Sequence, residues 1–310
     1  MSDLNSTLRV RVNGGGTQEM SGWYLKSETG PLRDVLLGSA ESFDWLGPEN
    51  AEYSSLVRDS LRKGYRFDRE LALKQHIEMV EAYQNAGVSC HFLPVDTATC
   101  MQVYARDSSF MTPYGAVICQ LANPRRRGEY AAALRFYLEN DVPIYDMVSA
   151  GNFEGGDFNI IKPGVALVGY TDHRSEGVAA RQVAEWFIAE GWEIKFAPID
   201  SFYVHIDLMV CMLSEQCAAV CLETTEDDVV DWLKSKNIEI IPATFEETMA
   251  LGCNVVALGN DKVLSTLGAK DLNAKMRAAG FTVYDPDMTQ FTRAGGGVHC
   301  MCQPLRRDPV

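Results

Sequence analysis

The sequence predicts an α/β fold, a five-bladed α/β propeller forming a single domain over residues 1–310. Two observations lead there: a pattern of strand, turn, strand, helix and strand that recurs five times, and the lack of any Gly/Ser- or Pro-rich linker dividing the chain. A chain of 310 residues exceeds the usual limit for a single core, so it needs either two domains or one core built from repeats. Five short sheets arranged about an axis, each with its helix outward, would satisfy the repeat pattern. A pair of ordinary α/β domains is the competing arrangement, and the missing linker counts against it.

The first copy runs from Arg33 through DVLLGSA, an insertion, a helix over Leu71 to Gln84, and GVSCHFLPV. The second begins at Asp107 with SSFMTPYGAVICQL, then a helix over Glu129 to Asn140 and the strand VPIYDMVS. The third is the clearest. GDFNII, the turn KPG and VALVGY precede a helix whose Val178, Val183, Trp186 and Phe187 fall near one face. Glu190-Gly191 stops that helix before the apolar run WEIKFAPID. The fourth runs from Asp207 through LMVCMLSEQCAAVCL, a helix over Asp227 to Lys236, and IEIIPAT. The fifth runs from Asn254 through VVALGNDKVLST, a helix over Asp271 to Ala279, and GFTVYDPD. Residues 1–30 form an N-terminal extension, and residues 42–67, rich in Glu, Tyr and Ser, read as a lid insertion over one end.

Composition narrows the partners. Lys plus Arg total 28 against 42 Asp plus Glu, a formal charge of −14 that disfavours nucleic acid and anionic membranes and suits a small cation. The N-terminus lacks the apolar core of a secretory signal. The best candidate span, Ile206 to Leu222, is broken by Asp207, Ser214, Glu215 and Gln216. Nine scattered cysteines, including Cys90, Cys119, Cys211 and Cys253 within apolar runs, read as buried free thiols of a cytoplasmic protein. A homodimer is the default expectation for a soluble enzyme.

Polar residues recur where units begin. Arg106-Asp107 opens the second, Glu154-Gly155-Gly156-Asp157 the third and His205-Ile206-Asp207 the fourth, and Cys300 follows the last strand of the fifth. In a closed ring these positions converge at one end of the axis. Alone, each has an ordinary structural explanation: a turn cap for Asp107, a tight turn for the glycines, a core histidine for His205. Cys300 and Cys302 lack a second cysteine pair at zinc spacing, and no P-loop lysine follows Gly295-Gly296-Gly297. Together they suit attack on a cationic, electron-poor carbon. Carboxylates would hold a planar guanidinium, whose charge would help ionise the thiol, and His205 would move protons. Such a scheme requires no cofactor and no metal.

The segments YARDSSF (104–110), GNFEGGDF (151–158), HIDL (205–208) and GGGVHCMC (295–302) resemble the guanidino-group-modifying enzyme superfamily. It includes arginine deiminases, dimethylarginine dimethylaminohydrolases, agmatine deiminases and amidinotransferases, and the likeness runs from about Pro31 to Pro304. The resemblance implies a five-bladed α/β propeller with Cys300 as nucleophile and His205 as general acid/base. Asp107 and Asp207 would bind the guanidinium, and Glu154 would bridge it to His205. It further implies that Arg127 in PRRRGE and Arg174 in GYTDHRS grip a substrate α-carboxylate.

Three departures from the deiminase pattern bear on the substrate. Met101 stands where an asparagine is usual, His299 where arginine is common, and Cys302 where threonine is usual. The implied activity is hydrolysis of arginine or an N-substituted arginine to a ureido product through a covalent thiouronium. The alternatives are transfer of the amidino group to an amine, a dihydrolase reaction giving ornithine, or a catalytically silent ligand-binding propeller.

Overall fold

The computed structural model describes residues 22–46, 52, 54–171 and 173–310. The first unit contributes β1 (Leu32–Leu37), α1 (Ser55–Arg62), α2 (Arg69–Asn85) and β2 (Ser89–Phe92). The second holds β3 (Ser109–Thr112), β4 (Gly115–Ile118), α3 (Tyr130–Glu139) and β5 (Ile144–Met147). The third holds β6 (Phe158–Lys162), β7 (Val165–Tyr170), α4 (Gly177–Ala189) and β8 (Glu193–Pro198). The fourth holds β9 (Val210–Ser214), β10 (Cys217–Cys221), α5 (Asp227–Ser235) and β11 (Glu239–Ala243), followed by the short α6 (Phe245–Met249). The fifth holds β12 (Val256–Gly259), β13 (Lys262–Leu264), α7 (Lys270–Ala278) and β14 (Thr282–Tyr284). Finally α8 (Thr289–Thr292) leads into β15 (Cys302–Arg307).

These strands form five small mixed sheets of three strands each. In every sheet the middle strand pairs antiparallel on one side and parallel on the other. The antiparallel pair needs only a tight turn, whereas the parallel pair needs a crossover, which the helix supplies. The turns use the chemistry expected of them: Gly164, in the KPG turn, has φ +78°, and Asn260 and Asp261 turn β12 into β13 with positive φ. The apolar stretch Ile206 to Leu222 is the β9–β10 hairpin with its approach, both strands buried. Among the described residues no helix is long and apolar enough to cross a membrane.

The first unit departs from the pattern read in the sequence, which gave it no second strand before its helix. The missing partner comes from the other end of the chain. β15 lies antiparallel to β1, with Val35 opposite Pro304 and Leu37 opposite Cys302. It therefore occupies the position that β3, β6, β9 and β12 hold in their own sheets. Pairing the C-terminal strand with the N-terminal one satisfies an edge that would otherwise be open.

Part of the N-terminal extension belongs to this core. Leu25 and Glu28 are buried, and Arg307 donates to Gly30 O at 2.7 Å; residues 1–21 lie outside the described residues. Of the lid insertion, residues 47–51 and 53 lie outside them too. Its helix α1 is capped by Ser54, whose side chain accepts from Val57 N. Ser55 Oγ donates to Phe202 O, which ties α1 to the loop before His205. All nine cysteines carry free thiols; Cys119, Cys211 and Cys253 are buried as expected, while Cys90 is only partly so.

Candidate active site

The segments that open the units meet through a closed circuit of contacts. Arg106 N donates to Cys300 O at 3.1 Å, and Arg106 O approaches Gly155 so closely that a Cβ there would lie 2.2 Å away. Asp157 Oδ1 accepts from Ile206 N at 2.8 Å. Asn254 Nδ2 donates to Asp207 O at 3.0 Å, and Asn254 Oδ1 accepts from Cys300 N at 3.2 Å. Because β15 completes the first sheet, Cys300 stands at the opening of the first unit, not merely after the fifth. The convergence expected from the repeat is thus a set of hydrogen bonds between neighbouring units.

A cavity of about 40 Å³ lies at this junction, enough for a few waters or the head of a small cation. Its lining includes Cys300, His205, Asp107, Arg126, Arg174 and Tyr104. Cys300 Sγ lies 3.6 Å from Asp207 Oδ2, and His299 Nδ1 donates to that same oxygen at 2.7 Å. Burial pushes the Cys300 thiol far up, and the Asp207 and Asp107 charges push it further, so the sulfur is protonated while the cavity lacks a cation. Asp207 stays ionised: burial opposes its charge, but the hydrogen bond from His299 and nearby positive charge outweigh it. His299 is held below the usual histidine range by burial and by Arg106, so a neutral imidazole makes that bond.

Across the cavity, His205 Nε2 donates to Glu154 Oε2 at 2.7 Å. Burial would lower the imidazole's pKa, but Asp107, Asp157 and Glu154 raise it to about 9. It is therefore an imidazolium at neutral pH. Glu154 is fully buried and ionised, burial being overcome by Arg174, whose Nε donates to Oε1 at 3.0 Å and Oε2 at 2.9 Å, and by His205. Two buried polar atoms in this region, Asp107 Oδ1 and His205 Nδ1, have no hydrogen-bond partner and lie 3.7 Å apart. An orphaned acceptor and a ring nitrogen in a lined cavity indicate where a polar ligand sits.

Glycines make these approaches geometrically feasible. A Cβ on Gly156 would sit 2.6 Å from His205 Nδ1, and one on Gly297 would sit 2.6 Å from Asn254 Oδ1. The glycine motifs are thus close-packing devices for functional side chains rather than turns alone.

Of the seven residues singled out by sequence, six are brought together: Cys300, His205, Glu154, Asp107, Asp207 and Arg174. Arg127 is not. It is exposed and donates to Leu121 O at 3.2 Å, while its neighbour Arg126 is buried and lines the cavity. Arg126 donates to Asp107 Oδ2 at 2.7 Å and to both oxygens of Glu129, at 2.9 and 2.8 Å. A run of three arginines, PRRR, conceals which one points inward. Glu129, three residues on, was the available signal, because a buried arginine needs a buried carboxylate. His299 and Asn254 also belong to the site although sequence reading gave neither a role. Arg106, which flanks Asp107, turns away: its Nε donates to Cys302 O at 2.9 Å and its guanidinium pairs with Glu28.

Asp107, Glu154 and His205 offer ligand atoms within 4.8 Å of one another, a spacing that a metal ion could bridge. Arg126 and Arg174 already balance those two carboxylates, so the opening favours one delocalised cation with N–H donors over a dication.

The sequence matches, over residues 47–307, the family described as N,N dimethylarginine dimethylhydrolase, eukaryotic. The chain belongs to that family. It thereby belongs to the wider guanidino-group-modifying superfamily. An uncharacterised Bacillus subtilis protein, YkgA, is 25% identical over 91% of this chain and 94% of its own length. Among solved structures, the N-terminal domain of the cyanobacterial arginine dihydrolase ArgZ, bound to substrate, has a TM-score of 0.77 at 18% identity. That likeness covers 88% of this chain and 98% of the domain. SxtG, an amidinotransferase from Microseira wollei, has a TM-score of 0.76 at 15% identity, covering 93% of this chain and 98% of its own. These two structures share the fold while their stated reactions differ.

Proposed function

We propose that this protein is a cysteine-dependent hydrolase of an arginine-like guanidine, acting at one end of a single five-bladed α/β propeller with residues 42–67 as its lid. The observation that carries the reading is the cavity itself. A thiol beside a fixed carboxylate faces an imidazolium, with the unpartnered Asp107 Oδ1 between them. The propeller reading is supported by the five equivalent sheets and the circuit of contacts joining their openings.

A guanidinium held by Asp107 and Asp207 brings its central carbon to Cys300 and its charge to the sulfur, which lowers the thiol's pKa as the substrate binds. The thiolate adds to that carbon, and His205 gives its proton to the departing nitrogen, leaving a planar S-alkylthiouronium. Neutral His205 then takes a proton from water as the oxygen attacks. Collapse of the adduct returns the thiolate and releases the ureido product. Glu154 holds the imidazole in orientation and favours its cationic form.

Asp107 and Asp207 are acceptors that need N–H groups opposite them, and the cavity is small. This favours a terminal guanidinium without two methyl groups over a dimethylated one. Arg126, in place of Arg127, and Arg174 are placed to meet a carboxylate at the far end of the substrate. Mass spectrometry of products from L-arginine and dimethyl-L-arginine, with Cys300→Ala as control, tests the reading. Citrulline that disappears in the variant supports it. Ornithine formed without an amine acceptor would replace it with a dihydrolase, and ornithine formed only with an acceptor would replace it with a transferase.

A further inference from the structure

Four of the five unit openings carry residues already given a part: Cys300 in the first, Asp107 in the second, the Glu154–Asp157 segment in the third, and His205 with Asp207 in the fourth. The fifth opens with Asn254, two residues before β12 and 1% exposed. Its side chain spans the three groups on which the nucleophile depends. Oδ1 accepts from the backbone N–H of both His299, at 3.0 Å, and Cys300, at 3.2 Å. Nδ2 donates to the carbonyl of Asp207 at 3.0 Å. Gly297 packs on the same amide so closely that a Cβ would lie 2.6 Å from Oδ1 and 3.1 Å from Cγ.

We propose that Asn254 is a positioning residue that clamps the nucleophile loop to the Asp207 segment and turns its second amide N–H toward the Cys300 sulfur. The proposal rests on Cys300 being the nucleophile. It assigns the fifth opening a distinct task, since this is the one opening that supplies a neutral side chain with donors and acceptors together. A carboxylate here would accept the two backbone N–H groups but could not donate to Asp207 O without a proton, and it would add a charge beside the sulfur. Consistent with the geometry, the Asn254 amide and the Gly297 backbone N–H both favour the thiolate, against burial and the two aspartates.

The test is the pH dependence of Cys300 alkylation by 2-chloroacetamidine, in which the thiolate carbon–sulfur bond forms as chloride leaves. It is followed by intact-mass spectrometry on wild type, Asn254→Ala and Asn254→Ser. We expect both variants to label about tenfold more slowly than wild type at neutral pH, with the rates converging at alkaline pH, where every sulfur is ionised. A residue that merely stabilised the fold would lower the melting temperature without moving this profile. If Asn254→Ala fails to fold, the serine variant, which can keep one acceptor for the loop, carries the comparison. Wild-type pH profiles in the folded variants would overturn the proposal while leaving Cys300 as nucleophile. Failure of the wild type to label at Cys300 would overturn both readings.

Discussion

The two walls of the cavity are built by different means. On the His205 side, charge does the positioning: Glu154 is clamped between the Arg174 guanidinium and the imidazole, and Asp107 is held by Arg126. On the Cys300 side, the sulfur's neighbours are set by backbone hydrogen bonds, a neutral imidazole and a neutral amide. The difference follows from what each residue must do. An imidazole that donates a proton gains from surrounding anions, which hold it at about 9. A thiol that must ionise loses by the same anions, so its wall is fixed by neutral groups. The missing positive charge is left for the substrate to bring.

Perturbing either wall tests that division. The largest effect is expected from Cys300→Ala, which should lower turnover by at least about 10⁴-fold and abolish alkylation, measured by product formation and intact mass. His205→Ala should cost about 10²- to 10⁴-fold in kcat, the range for losing a general acid, while Cys300 still labels at high pH. The two walls would not be separable if alkylation disappeared with His205.

The pH profile sharpens the comparison. Because His205 is raised to about 9, the acid form is present below that pH, and kcat should fall as pH rises through it. Glu154→Gln removes an anion that favours the imidazolium, so the alkaline limb should move to lower pH. An unmoved limb would show that another group sets it. The smallest contrast lies within one tripeptide. Arg126→Ala should raise KM for L-arginine tenfold or more by unpairing Asp107 and Glu129, whereas Arg127→Ala should change it by less than about twofold. Equal effects would place Arg127 in the substrate path after all.

The same contrast shows what could be read in the sequence. Periodicity located the helices to within a residue or two, and the polar clusters pointed to six site residues, because a repeat places chemically odd residues at equivalent positions. Arg127 was chosen over Arg126 because side-chain direction within a loop leaves no periodic trace. Asn254 was seen only as the start of a strand, since an amide there looks like any turn residue until its partners are known. The first unit looked incomplete because its third strand lies at the far end of the chain.

By itself, then, the sequence determined the five repeating units, the order of the motifs and the chemical types gathered at their openings. These are local matters of hydrophobic period, turn residues and residue kind. Only the tertiary structure decided that β15 completes the first sheet, that Arg126 rather than Arg127 faces inward, and that Asn254 joins Asp207 to Cys300. Each depends on contacts between residues far apart in the chain, where burial forces polar groups to find partners that no local pattern specifies.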